Sequence, residues 1–253
     1  MKRVTRDRPS GYTVYLVAAS IIIVVLASAI WVRTGHGAPS HGSIETSYPS
    51  VPLAKVPRST ALFVGDEFTA GYGGIGRNAY PRIVCNNMQF VCNVDASAGT
   101  RLVSTSDAAA DSALIDRLAT DQKLYSADVL IVDAGRNDLD QPVPVYADAL
   151  SQYLTRAAGS WPDAKIVVVA PTFLSPEPAE IYTSRLQAIQ DAAASVGGIV
   201  VDPVSEGWYQ GVDVASLLLP DSAHPNQAGH HHIADKLQQS LASHGITPRG
   251  DSR

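Results

Sequence analysis

Four short polar islands hold most of the residues that could do chemistry in this 253-residue chain. Gly65-Asp66-Glu67 ends an apolar run, Ser97-Ala98-Gly99-Thr100 follows a second, and Gly135-Arg136-Asn137-Asp138 follows a third. Asp221-Ser222-Ala223-His224-Pro225-Asn226 comes just ahead of a helical pattern. Acyl transfer needs a nucleophile, a base within hydrogen-bond reach, a group that holds the base, and donors aimed at a developing oxyanion. The islands offer carboxylates, one imidazole, a carboxamide and glycine N–H groups. Taken singly, each has a plain structural reading. Asn137 and Asp138 are turn formers, Asp221 suits a cap, and His224 before Pro225 suits a helix start. Their joint occurrence, each beside a strand end or helix start, favours one site. No Gly-x-Ser-x-Gly elbow occurs, and Ser97, Ser104 and Ser106 belong to the second island's turn.

The elements that must position these islands are legible. Strands are expected at 61–65, 90–95, 128–133, 165–170 and 199–202, short, Val/Ile-rich and mostly apolar on both faces, as buried parallel strands are. Tyr146, Leu150 and Leu154 recur at helical spacing, as do Leu186, Ile189, Ala193 and Val196, and finally Ile233, Leu237 and Leu241. Strands alternating with helices predict βαβ units. The expected fold is a three-layer α/β/α sandwich around a parallel sheet of about five strands, flavodoxin-like in class. It should occupy residues 59–245, with a polar, frayed tail at 246–253.

The four islands, in this order, resemble the blocks of the SGNH (GDSL-type) hydrolases. The usual first block there is Gly-Asp-Ser, and Glu67 holds the position of the serine nucleophile. The resemblance implies that Gly99 lends its N–H, and Asn137 its side chain, to an oxyanion hole. It implies that His224 is the general base and Asp221 orients it. A Glu carboxylate is a poor nucleophile toward esters, longer than Ser and negatively charged. Beside His224 and facing Gly99 and Asn137, it could occupy the oxyanion hole as a built-in anion. The alternatives are that Glu67 acts as a base on water or works with Asp221 as in glycosidases. The expectation is therefore a degenerate member that binds an acylated small molecule, a glycan or a lipid. The alternative is an active esterase or acyltransferase. No cofactor and no metal is expected.

Two other patterns lead elsewhere. Gly71-Tyr72-Gly73-Gly74-Ile75-Gly76 fits a dinucleotide fingerprint, with Asp95 as its acid. It stands five residues beyond the strand that should precede it directly, so dinucleotide binding is an outsider. His230-His231-His232 point about 100° apart on a helix and do not share an ion easily, so a solvated helix start is expected.

The amino end is read separately. Lys2, Arg3, Arg6 and Arg8 in a cytoplasmic tail (1–10) precede an uncharged stretch at 11–32, long enough for a membrane-spanning helix. A Gly/Ser/Pro/Thr-rich linker (33–58) follows. The domain is thus expected outside the cytoplasm on a single-pass anchor. The alternative is secretion after cleavage near Ala27-Ser28-Ala29. Hydrophobic content of 45% and charge of 17% describe a globular chain. A net charge of −5 without a basic stripe argues against nucleic acid. Cys85 and Cys92 are the only cysteines. Export makes a disulfide between them the expectation, against two reduced core thiols.

Overall fold

The computed structural model describes residues 58–104, 113–171, 174–175 and 180–247. The expected tail at 1–10, the anchor at 11–32 and nearly all of the linker lie outside the described residues. Among the described residues, no helix is long and apolar enough to cross a membrane.

Five parallel strands form one sheet: β1 (Thr60–Gly65), β2 (Val91–Ala96), β3 (Val129–Asp133), β4 (Lys165–Val169) and β5 (Ile199–Val201). Their order is β2-β1-β3-β4-β5. The order reverses at β1, which puts the switch point between β1 and β3, where open α/β sheets hold their ligands. Register makes this useful. Gly65 pairs with Ala96 on one side and with Asp133 on the other. Three of the four islands therefore leave the sheet at the same level.

The helices follow from the handedness of parallel crossovers. The β1-to-β2 connection runs one way along the sheet and carries α1 (Glu67–Ala70) and α2 (Tyr80–Asn87). Connections from β2 onward run the other way and carry α3 (Leu114–Leu124), α4 (Val143–Ser160) and α5 (Glu180–Ser195). Right-handed crossovers then place α2 on one face and α3 to α5 on the other. The last helix, α6 (Gln227–Ser243), joins α2. The two cores show it: Ala61, Phe63, Ile131 and Val167 pack with Val84 and Leu237, whereas Leu62, Val64, Leu130 and Val168 pack with Leu118, Leu150 and Ile189. Successive strand residues point to opposite faces, so strands buried on both sides must be apolar throughout. β1 and β3 are.

Two details correct the sequence reading. Ile246 is buried and its N–H donates to the Leu241 carbonyl at 2.9 Å, so the packed domain extends past Gly245 into the expected tail. His230 is also buried, and His232 bonds the Trp208 carbonyl. Of the three consecutive histidines, only His231 is exposed. They do diverge, and among the described residues no His/Cys/Asp/Glu group is arranged to hold a metal. Cys85 on α2 and Cys92 on β2 form a disulfide with Cα atoms 5.6 Å apart, tying an edge strand to its helix.

Candidate active site

The first island is built by close approach. A Cβ on Gly65 would lie 2.2 Å from Thr69 Oγ1 and 2.5 Å from the Asp133 carbonyl, so only glycine lets β1 turn here against β3. Asp66 then caps α1, accepting from the Phe68 N–H at 3.0 Å. Glu67 is the first residue of that short helix and is half-buried.

Glu67 meets the second and third islands directly. Its Oε2 accepts from the Gly99 N–H at 3.0 Å and from Asn137 Nδ2 at 2.9 Å. Asn137 Nδ2 also donates to the Thr100 carbonyl at 3.1 Å. Burial opposes ionisation of Glu67, but the Asn137 and Gly99 bonds outweigh it and hold its carboxyl below the ordinary value. The carboxylate is therefore charged and held by two fixed donors.

Asp138 supports this arrangement from behind. It is buried and accepts from the Leu102 and Val103 N–H groups at 2.9 and 3.0 Å, tying the second island's loop to the third. The turn before it needs Gly135, whose φ is +112°. Arg185 Nη2 donates to the carbonyls of Asp138, Leu139 and Gln141, closing the far side of that turn.

The fourth island forms a dyad. Asp221 Oδ1 accepts from the N–H groups of Ala223 and His224, both at 3.0 Å, and its Oδ2 lies 2.8 Å from His224 Nδ1. Those backbone bonds, with the His224 side-chain bond, hold the Asp221 carboxyl at about 2. An ionised carboxylate accepts, so Nδ1 carries the proton and, in the neutral ring, Nε2 keeps the lone pair. The ring stacks on Tyr72 at 4.1 Å and lies 5.8 Å from Phe68. Tyr72 follows α1 and its N–H donates to the Glu67 carbonyl at 3.1 Å. His224 is thereby held against the same turn that carries Glu67. All five residues expected at the site (Glu67, Gly99, Asn137, Asp221 and His224) are brought together at the carboxyl edge of the sheet.

A buried ionic network beneath α1 was not read from the sequence. Arg136 Nη1 lies 3.0 Å from Asp66 Oδ2 and 2.8 Å from Asp133 Oδ1, and its guanidinium covers the Phe68 ring at 4.1 Å. Tyr80 donates to Asp133 Oδ2 at 2.8 Å, and Thr69 meets the Tyr80 hydroxyl at 3.0 Å. Burial pushes the Asp66 carboxyl up to about 7, with Arg136 pulling it only part of the way back and Asp133 and Glu67 adding to the rise. The available signal was a carboxylate at the end of each of two buried strands, with one arginine three residues past the second. Tyr72 was also missed, because its glycine-rich loop reads as a bare turn. Gly71 caps α1 there instead of following β1, which removes the geometry a dinucleotide fingerprint needs.

Comparisons with known proteins agree with this architecture. The profile of the GDSL-like lipase/acylhydrolase family matches residues 63–232. A GDSL lipase of Mycobacterium tuberculosis is 28% identical over 194 residues, spanning 69% of this chain and 78% of the relative. A family two carbohydrate esterase from Clostridium thermocellum, solved in complex with cellohexaose, superposes with a TM-score of 0.60 at 16% identity, covering 74% of this chain and 64% of that one. A psychrotrophic esterase from Pseudoalteromonas sp. superposes with a TM-score of 0.57 at 16% identity, covering 73% and 97%. These solved structures share the fold, and the profile covers all four islands, stopping short only of the start of β1 and the body of α6. The chain belongs to the GDSL-like lipase/acylhydrolase family, the SGNH hydrolases.

Proposed function

We propose that this domain has given up serine-based ester hydrolysis and binds an acylated or carbohydrate ligand of the cell envelope. The observation that carries the reading is that Glu67 Oε2 takes both the Gly99 N–H and the Asn137 amide. Those are the donors that would stabilise an oxyanion, and a resident carboxylate satisfies them before any substrate arrives. Glu67 stands where the family carries its nucleophile, and it cannot make a readily hydrolysed ester intermediate. The glycan side of the reading is supported by the fold shared with a carbohydrate esterase that was solved with cellohexaose. On this reading the domain lies outside the cytoplasm behind an anchor at 11–32, which the basic flank of that stretch and the Cys85–Cys92 bond support.

The Asp221–His224 pair, intact at 2.8 Å, favours a second reading, an active esterase or acyltransferase in which Glu67 has its own chemical role. Hydrolysis of a short-chain aryl ester separates the two. The native protein is expected to show no turnover above background. Glu67→Ser should gain weak activity, because surviving oxyanion donors retain catalytic value in incomplete triads. Adding His224→Ala should remove the gain. Native activity that Glu67→Ser destroys would establish the second reading and refute the first.

A further inference from the structure

Replacing a serine with Glu67 does more than remove a nucleophile; it reverses the hydrogen-bonding polarity of the cleft. Gly99 N–H and Asn137 Nδ2 are donors suited to a carbonyl or oxyanion, and both end on Glu67 Oε2. What the cleft then presents at this point is an acceptor, a carboxylate with capacity beyond those two bonds. A ligand group that fits must donate.

Charge narrows the class further. Glu67 is ionised and half-buried, yet among the described residues it has no ion pair. The nearest buried cation, Arg136, also attracts the Glu67 carboxylate, but its salt bridges are to Asp66 and Asp133 behind the Phe68 ring. A sugar hydroxyl would leave Glu67 without a direct ionic partner, whereas an ammonium would supply one. Tyr72 supplies the second feature. Tyr72 is 48% exposed although one face of its ring is stacked on His224, and its N–H donates to the Glu67 carbonyl. An exposed aromatic ring on the turn that carries a carboxylate suits an alkylammonium, through cation–π attraction and through the C–H face of a sugar ring.

We propose that this cleft recognises a primary ammonium, with Glu67 as its counter-ion and Tyr72 as its platform, and that the ligand is an amine-bearing sugar. The proposal rests on the binding reading above and names the group that is bound. Isothermal titration of the full-length protein tests it, with three probes: chitotriose, its fully N-acetylated counterpart and cellotriose. The measurement is made at about pH 6, below the range of a free amine. Chitotriose is expected to bind and the two neutral sugars are not. Glu67→Gln keeps an oxygen for Gly99 and Asn137 while removing the charge, and thermal melting checks that it stays folded. It should weaken chitotriose about tenfold or more, the scale of a charge-assisted hydrogen bond. Tyr72→Ala should weaken it too, and raising salt from about 0.05 to 0.5 M should cost several-fold. Equal binding of cellotriose, or chitotriose binding that ignores Glu67→Gln, would overturn the ammonium assignment and leave the binding reading in place. Binding of none of the three sugars also overturns it. Loss of hydrolysis is judged independently by the aryl-ester assay, so the two failures are distinguishable.

Discussion

Arg136→Met tests whether the buried network beneath α1 holds the site together. The Arg136 side chain is 5% exposed and Asp66 is fully buried, so neither charge has water to fall back on. Removing the guanidinium strands Asp66 and Asp133, which it meets at 3.0 and 2.8 Å. Breaking one side of a buried pair costs about 3–5 kcal/mol, against a total stability of roughly 5–15 kcal/mol. With a urea m-value of about 2 kcal/mol/M for a domain of this size, the midpoint should fall by about 2 M. The cost should depend on pH with a definite sign. Asp66 has a folded pKa of about 7, above its unfolded value of 3.8, so the native state takes up its proton as pH falls through that window. At pH 5 Asp66 is already neutral and needs Arg136 less; at pH 8 it is ionised and needs it more. Urea unfolding followed by tryptophan fluorescence should therefore give a larger loss at pH 8 than at pH 5. Arg136→Met/Asp66→Asn should recover part of the loss at pH 8, while Asp133 keeps its Tyr80 bond. A loss under about 1 kcal/mol at pH 8, or an equal loss at both pH values, would show that the network is not what holds α1.

Other outcomes follow from single features. Reducing the Cys85–Cys92 bond, which closes a seven-residue separation, should cost about 2–3 kcal/mol by loop-closure entropy, read as a lower urea midpoint in reductant. His230 is buried, and its Nδ1 accepts from the Tyr80 N–H at 3.3 Å. Burial, with the neighbouring His231 charge, lowers its pKa to about 4, below an unfolded value of 6.5. Its contribution is thus fully present above pH 6.5 and is lost as pH falls toward 4, whereas Asp66 slopes the other way. His230→Gln should flatten the acid-side loss relative to the native protein, and parallel pH profiles would contradict this. A reporter fused after Arg253 should be active only outside the cytoplasm, and a signal confined to the cytoplasm would remove the topology proposal.

How far the sequence carried these conclusions depended on what each residue needed from its neighbours. The five strands were readable to within about one residue, the central β1, β3 and β4 because a strand buried on both faces has no choice but to be apolar. The register that levels Gly65 with Ala96 and Asp133 was not readable, since it is a relation between strands. Glu67 as an internal anion was foreseeable, because its charge and the two donors were each evident and only their meeting remained to be shown. Arg136 was invisible for the opposite reason. It occupies the variable position of Gly-x-Asn-Asp, and nothing local reveals that both of its partners are buried. The histidine run misled because helical spacing gives directions only relative to a face; α6 turns His230 inward beneath Tyr80. Helix α3 was missed because its buried face includes Asp121 beside Leu114 and Leu118, which breaks the apolar pattern.

On the proposed reading, Glu67 would also explain how a hydrolase fold can do without a serine nucleophile and still keep its site. In a serine-bearing member, the Gly99 N–H would have only water or substrate to meet, and the Asn137 amide only those beyond its Thr100 bond. Here they meet a carboxylate on the same chain, at 3.0 and 2.9 Å. Hydrogen bonds to a charged group contribute about 1.5–3 kcal/mol each when well buried, and less at a half-buried group where water competes. Asp138 and Arg185 fix the donors whether or not Glu67 is present, so the pocket does not collapse when the side chain is shortened. The Glu67→Ser variant should therefore fold with a modestly lower melting temperature and expose the two donors again. Its gain of hydrolysis and its loss of stability have one cause, the departure of a resident anion. A variant that became active with no change in stability would mean that the two hydrogen bonds contribute nothing to the folded state.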